Sequence, residues 1–287
     1  MSQKTTKKTG TKILIALMIF AGCCCLLYPI YNNYMFAKYS AESQAEYEAA
    51  VAQKDAAYKE EAYAKARLYN STLDPVSLID PFSVSENPEG MQQEYEDAFN
   101  LTRAAGIDGV MGFISIPKIN VDLPIFHGTE DEKLQNGSGH LIGSSLPTGD
   151  TGTHAVLTGH SGLTSAKLFT DLEQLEIGDQ FIITILDEKM AYEVDNITVI
   201  EPTDKEWFTI DPDKTEVTLM TCTPIGINSH RLLVTGHRIP YEDLSAVTPV
   251  VDWYKVIVLS LLGLGAILLL VLGIRKAMKK RAEKGTK

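Results

Sequence analysis

The first candidate for chemistry is Cys222, the one cysteine that lies outside a long apolar segment. It ends the run EVTLMTC, whereas the other three cysteines lie together at 23–25. A thiol attacks an acyl carbon as the thiolate, so it needs a neighbour that accepts or stabilises its proton. The oxyanion that then forms needs a hydrogen-bond donor. If Cys222 is a nucleophile, the fold must bring a base and a donor close to it.

Histidine is the usual base, and the chain has six of them: His127, His140, His154, His160, His230 and His237. His160 closes the run THAVLTGH just before the turn residues SGLTS, and the end of a strand is a common position for a catalytic side chain. His154 lies on the same face, but about 20 Å away at ~3.3 Å per residue, so only one of the two can serve a single thiol. Taken alone, a histidine at a strand end is more often a surface hydrogen-bonding group. Its coincidence with Cys222 at a strand end favours His160.

Arginine supplies the donor. The loop TPIGINSH connects Cys222 to the next strand-like run, HRLLVTGHRI, and a hairpin there would bring Arg231 back beside the thiol. Arg238 lies seven residues further on, which predicts that it faces the opposite way and lies about 23 Å along the strand. The pattern therefore selects Arg231.

Strands must position these three side chains. Between about 110 and 240 the sequence consists mostly of short apolar runs separated by turn residues, which predicts seven or eight strands in a barrel or a sandwich. The predicted strands are GFISI, VDLPIF, HAVLTGH, QFIITIL, MAYEVDNITVI, EVTLMTC and HRLLVTGHRI. Two helical pieces are predicted between them, at 130–136 and 166–175.

A helical segment and a loop precede the strands. Residues 36–70 are rich in Ala, Glu, Lys and Gln and contain no Gly or Pro, which predicts a helix or a helix pair. We expect a helical stalk over 32–73. Residues 74–90 have the Pro, Ser, Asp and Asn content of a loop.

The two ends of the chain predict membrane anchoring. Residues 13–31 and 256–274 are each free of charge and are long enough to cross a hydrocarbon layer ~30 Å thick. The tail 1–12 holds four lysines, and the tail 275–287 holds seven Lys or Arg and one acid. Basic flanks favour the cytoplasm, so both tails are predicted to be cytoplasmic and the segment between the spans to be extracellular. A cleaved secretory signal is the alternative interpretation of residues 1–31.

The predicted exterior is acidic. Of the 26 basic and 37 acidic residues, the two tails take 11 and one, which leaves a net charge of about −21 between them. Such a surface argues against a nucleic-acid partner. In this exterior segment Cys222 has no second cysteine with which to form an intramolecular disulfide, which again favours a chemical role.

Three separated motifs resemble the sortase family: LTGHSGL at 157–163, TLMTC at 218–222 and NSHRLLVTGHR at 228–238. The resemblance extends over about 110–240. It implies a mainly β fold, a closed sortase-type β-barrel of about eight strands with short helices, within 91–243 and followed by a juxtamembrane linker at 244–255. It also implies roles for the candidate residues: Cys222 as nucleophile, His160 as general acid and base, and Arg231 as the group that holds substrate and oxyanion.

The subclass is indicated by the second span and by the loop at 74–90. Pilus-building class C sortases of Gram-positive bacteria are similar in having a C-terminal span and a lid that contains Asp-Pro-aromatic, here Asp80, Pro81 and Phe82. The resemblance implies that Asp80 pairs with Arg231 while Phe82 covers the thiol. As a tripeptide, this motif is also common in ordinary turns.

The resemblance implies a reaction as well. An LPxTG-type sorting signal is cleaved after Thr to give a thioester, and a lysine amine of another pilin then attacks it, without a metal or an organic cofactor. The implied partners are pilin subunits and the lipid bilayer. Three alternatives remain: a cysteine hydrolase of another fold, a sortase that anchors proteins to the cell wall, and a non-enzymatic two-span receptor or adhesion scaffold.

Overall fold

The structure, a computed structural model, describes residues 3–73, 80–82, 95, 98–100, 102–104, 107–204, 207–242 and 247–285. The side chains of 3–13, 102–104, 107–108 and 279–285 are outside this description. The chain forms two compact units, one from residues 33–250 and one from the two terminal segments.

Four α-helices and nine strands make up the described chain. The helices are α1 (Gln3–Ala52), α2 (Ala56–Ser71), α3 (Asp131–Asn136) and α4 (Trp253–Gly285). The strands are β1 (Thr102–Ala104), β2 (Ile107–Ile116), β3 (Val121–His127), β4 (Ser138–His140), β5 (Thr153–Thr158), β6 (Gln180–Ile185), β7 (Glu188–Ile200), β8 (Thr215–Thr223) and β9 (His230–Ile239). All seven predicted strands are present.

Eight of the strands close into a barrel in the order β2-β3-β4-β5-β8-β9-β7-β6, because β6 also pairs with β2. Strand β1 adds a short antiparallel pairing to β2. The closing pair is tight at Gly112, where a Cβ atom would lie 2.2 Å from the carbonyl oxygen of Thr184. The predicted closed barrel of about eight strands is confirmed.

The two faces of the barrel wall carry different clusters. Alternate residues of β5 and β8, such as Leu157 and Leu219, belong to the main core. Their neighbours Val156 and Met220 point to the other face, as expected from the two-residue repeat of a strand. There they form the outer cluster, whose members are Leu141, Val156, Ile200, Phe208, Met220 and Leu233. The outer cluster lies on the same face of β8 as Cys222.

The predicted helical segment at 36–70 forms the last third of α1 and nearly all of α2. Asp55 caps α2 by accepting a hydrogen bond from the backbone of Tyr58 at 2.8 Å. The hydroxyl of Tyr47 donates to the carbonyl of Met111 at 2.7 Å and accepts from the amide of Leu186 at 2.7 Å. The two helices are thus packed onto the barrel, and the role of 32–73 as a stalk that lifts the barrel off the membrane stays a prediction.

Of the two predicted short helices, one is confirmed as α3. In the other, 166–175, only a 3-10 turn at Leu172–Gln174 is helical. Leu168 has a φ of 42°, which an α-helix does not allow, and both Leu168 and Phe169 are buried in the main core. Burial of these two side chains overrides the helical preference of the sequence.

Two helical regions are long and apolar enough to cross a membrane, Leu14–Ala52, which begins in the N-terminal segment, and Trp253–Met278 in the C-terminal segment. They include the predicted spans, apart from Ile13 at the start of the first. Within the unit formed by the two terminal segments, the hydroxyl of Tyr254 donates to the carbonyl of Leu26 at 2.9 Å.

Candidate active site

Three adjacent strands bring the candidate residues together. Strand β5 runs parallel to β8, with Thr158 opposite Met220. The amide of Gly159 donates to the carbonyl of Met220 at 3.1 Å, so the pairing continues one residue beyond β5. His160 therefore follows the end of β5 beside the last residues of β8, where Cys222 lies, on neighbouring strands ~4.8 Å apart.

The hairpin between β8 and β9 places Arg231 directly opposite Cys222. This is the position that the loop length and the strand pattern predict. Arg238 lies elsewhere, where it donates to the carbonyl of Gly149 at 2.6 Å and to Glu188 at 2.8 Å.

Two hydroxyl groups connect the strand ends that carry His160 and Cys222. The hydroxyl of Ser161 donates to the carbonyl of Cys222 at 2.6 Å, and that of Thr221 donates to the carbonyl of Gly159 at 2.7 Å. These contacts could not be predicted from the sequence, because Ser and Thr are frequent in turns and at strand ends. Together they fix the two strand ends relative to each other.

Arg231 is buried, with 5% of its surface exposed, and is paired with a carboxylate. Its Nε and Nη2 atoms donate to the two carboxylate oxygens of Asp80, each at 2.7 Å. Its Nη1 atom donates to the carbonyls of Asn228 and His230 at 3.1 Å. Burial alone would lower the pKa of Arg231, but the bidentate pair with Asp80 outweighs it and raises the pKa. The guanidinium is therefore charged and donates four hydrogen bonds, two of them to Asp80.

Phe82 lies between Arg231 and His160. Its ring centre is 5.1 Å from the guanidinium carbon of Arg231 and 5.8 Å from the ring centre of His160. The ring also packs against the outer cluster, and the preceding Pro81 is buried. The other residues of the predicted lid loop, 74–79 and 83–90, lie outside the described residues.

Cys222 is buried, with 7% of its surface exposed. Burial raises the pKa of its thiol, Asp80 raises it further, and Arg231 opposes them. Burial lowers the pKa of His160, and Asp131 opposes that shift from 3.6 Å. The arrangement therefore favours a neutral thiol and a neutral imidazole.

His154 is a structural residue. Its Nδ1 atom lies 2.6 Å from the carbonyl of Thr209, its Nε2 atom lies 2.7 Å from the hydroxyl of Thr218, and its ring stacks on Phe208. Both ring nitrogens are thus occupied at the opposite end of β5 from His160. This agrees with the expectation that only one of the two histidines serves the thiol.

Comparison with known proteins identifies the class. The sortase domain family model matches residues 114–239. Sortase D of Bacillus subtilis is 32% identical over 131 residues, which are 45% of this chain and 63% of that protein. Sortase A of Bacillus anthracis is 32% identical over 128 residues, which are 44% of this chain and 59% of that protein. These matches therefore span less than two thirds of either curated relative.

Solved structures give longer matches. Sortase C of Streptococcus pneumoniae is 40% identical, with a TM-score of 0.64 over 70% of this chain and 97% of that chain. A pilus-related sortase C of Group B Streptococcus is 39% identical, with a TM-score of 0.62 over 69% and 97%. The barrel and these matches define a sortase, and the chain belongs to the sortase family. Within that family, the solved structures that it resembles are class C enzymes.

Proposed function

We propose that this protein is a class C sortase, a membrane-anchored cysteine transpeptidase that polymerises pilus subunits. It cleaves an LPxTG-type sorting signal and transfers the acyl group to a lysine amine of a pilin. The observation that carries the proposal is the convergence of Cys222, His160 and Arg231 at the ends of three neighbouring strands. The pairing of Arg231 with Asp80 supports the class C assignment.

In the first half-reaction, Cys222 transfers its proton to His160, and the resulting thiolate attacks the carbonyl carbon of the Thr residue in the sorting signal. Arg231 stabilises the resulting oxyanion. The Thr–Gly amide bond then breaks, His160 protonates the departing Gly amine, and the acyl group remains on Cys222 as a thioester.

In the second half-reaction, a lysine amine attacks the thioester carbonyl. His160 accepts the proton of the amine, the carbon–sulfur bond breaks, and the thiolate of Cys222 returns. The product is an isopeptide bond. An amine has to compete with water at this step, and anchoring enzyme and substrate in the same membrane raises the effective concentration of the amine.

The Asp80–Arg231 pair inhibits this reaction as long as the lid is closed. While Nε and Nη2 each donate a hydrogen bond to Asp80, those two N–H groups of Arg231 are not available to an oxyanion. Phe82 also packs beside His160, so substrate has to displace the Asp80–Pro81–Phe82 segment. Displacement removes the negative charge of Asp80 and part of the burial of Cys222, and both changes favour the thiolate.

The proposed location follows from the two apolar helices and the basic tails. Both spans cross the cell membrane, both termini are cytoplasmic, and the barrel lies on the extracellular face, where pilin sorting signals are presented.

Polymer formation tests the function. The full-length protein in lipid nanodiscs is incubated with a pilin that carries a sorting signal, and products are separated on a denaturing gel. We expect covalent ladders with the parent protein and none with Cys222→Ala. Ladders from Cys222→Ala would refute the assignment, and release of hydrolysed pilin without ladders would favour a hydrolase.

A further inference from the structure

A carboxylate from outside the three strand ends lies beside His160. The Oδ1 atom of Asp131 is 3.6 Å from Nε2 of His160. This distance is too long for a hydrogen bond but falls within the range of an ion pair, and contacts of this kind commonly shorten when substrate binds. The other oxygen of Asp131 accepts a hydrogen bond from the side chain of Gln135 at 2.6 Å. The carboxylate is therefore oriented by its own helix.

Helix α3 is fixed to the barrel next to this carboxylate. Lys133 donates from its side chain to the carbonyl of His127 at the end of β3, and it pairs with Glu130 at 3.0 Å. Leu134 is buried on the inner side of α3. Asp131 consequently has a defined position even though 67% of its side chain is exposed.

The charges around His160 come from four elements. Asp131 is contributed by α3, Cys222 by β8, Arg231 by β9 and Asp80 by the lid. Arg231 and Asp80 neutralise each other in their bidentate pair. Among the described residues, Asp131 is the carboxylate that lies within ion-pair distance of His160, and the pair becomes ionic when the imidazole is protonated.

We propose that Asp131 is a positioning residue that orients the imidazole of His160 and stabilises its protonated form during the reaction. This inference rests on the proposed transpeptidase function. When Cys222 transfers its proton to His160, the imidazole gains a positive charge that Asp131 offsets. The same proton then passes to the leaving amine, so the carboxylate assists the acid step without touching substrate.

The test combines a titration with kinetics on the full-length protein in nanodiscs. Histidine ring carbons are labelled with ¹³C, and the His160 signal is assigned by its loss in His160→Gln. In Asp131→Asn we expect the pKa of His160 to fall below that of the parent, because the carboxylate that favours the protonated form is lost. We expect kcat to fall about tenfold and KM for the sorting peptide to stay unchanged. Asp131→Glu should restore most of the pKa of His160 and most of kcat, because it keeps the carboxylate.

Glu132→Gln is the matched control, because it makes the same change of charge one residue along α3. In Glu132→Gln, the pKa of His160 and kcat should both equal those of the parent. An unchanged pKa or an unchanged kcat in Asp131→Asn would overturn the role of Asp131, as would equal effects in Glu132→Gln. A parent protein that forms no thioester would instead refute the proposed function, and the inference would fall with it.

Discussion

At the scale of single residues, the main result is that the proposed nucleophile and the proposed oxyanion donor are both held in resting states. Cys222 is buried beside a carboxylate that disfavours its ionisation, and Arg231 is occupied by the same carboxylate. The sequence alone predicted the pairing of Cys222 with Arg231 across a hairpin. The contact of Asp131 with His160 was not predicted, because Asp131 lies in a charged run whose pattern indicates only a short helix.

Asp80→Asn tests the resting state of Cys222. Loss of the negative charge should lower the pKa of the thiol and weaken the closed lid. Because a lower pKa increases the thiolate fraction at pH 7, we expect alkylation at this pH to be faster than in the parent. The rate is measured with iodoacetamide by mass spectrometry of the Cys222 peptide. Asp213→Asn, at an exposed turn, is the control, and equal rates in the two variants would show that Asp80 does not restrain the thiol.

The pH dependence of the same reaction gives a second prediction. Since burial raises the pKa of Cys222, the parent should be alkylated with a midpoint above the ordinary thiol value of about 8.5. Phe82→Ala should move the midpoint to lower pH, because it exposes the site to water. If the alkylation midpoint of the parent protein lies at or below the ordinary thiol pKa, the closed site does not disfavour ionisation of Cys222.

At the scale of elements, periodicity predicted the long strands well and the short ones not at all. Strands β5 and β8 alternate between main core and outer cluster, and that alternation is visible in the sequence. Strand β4 has only the residues Ser-Gly-His and no apolar repeat, so its strand state depends on pairing with β3 and β5. The prediction of a helix at 166–175 was wrong, because burial of Leu168 and Phe169 decides the conformation of this segment.

Ser161→Ala tests whether the hydroxyl contacts between strand ends matter for catalysis. The substitution removes the donor to the carbonyl of Cys222 and lets the His160 strand end shift. Small displacements of reacting groups are costly, so we expect kcat for transpeptidation to fall about tenfold with little change in KM. Ser229→Ala removes a hydroxyl from the next loop and should behave as the parent. Equal kcat values for both variants would argue against a positioning role for Ser161.

At the scale of the whole molecule, the two apolar helices and the acidic segment between them suit an enzyme that works at a membrane surface. Helix length and composition are predictable from sequence because a bilayer imposes them directly. Packing of the last third of α1 and of α2 onto the barrel could not be predicted, because it depends on contacts such as those of Tyr47 with Met111 and Leu186, which are far apart in the chain.

Cysteine labelling tests the proposed orientation. In a Cys222→Ala background, Asp213→Cys should react with a membrane-impermeant maleimide in intact cells. Lys284→Cys should react only after the membrane is permeabilised, because the basic tail is proposed to be cytoplasmic. Labelling of Lys284→Cys in intact cells would contradict this topology.

The most direct test of the central proposal is to observe the acyl-enzyme. Full-length protein in nanodiscs is mixed with an LPxTG-type peptide, quenched in acid and analysed by intact mass and peptide mapping. We predict that the peptide up to its Thr is attached to Cys222 and adds its mass to the protein. When a lysine amine is supplied, this adduct should disappear and the same peptide fragment should be found in an isopeptide-linked product. Absence of the adduct in the parent and in Phe82→Ala, or its presence on Cys222→Ala, would contradict the proposal.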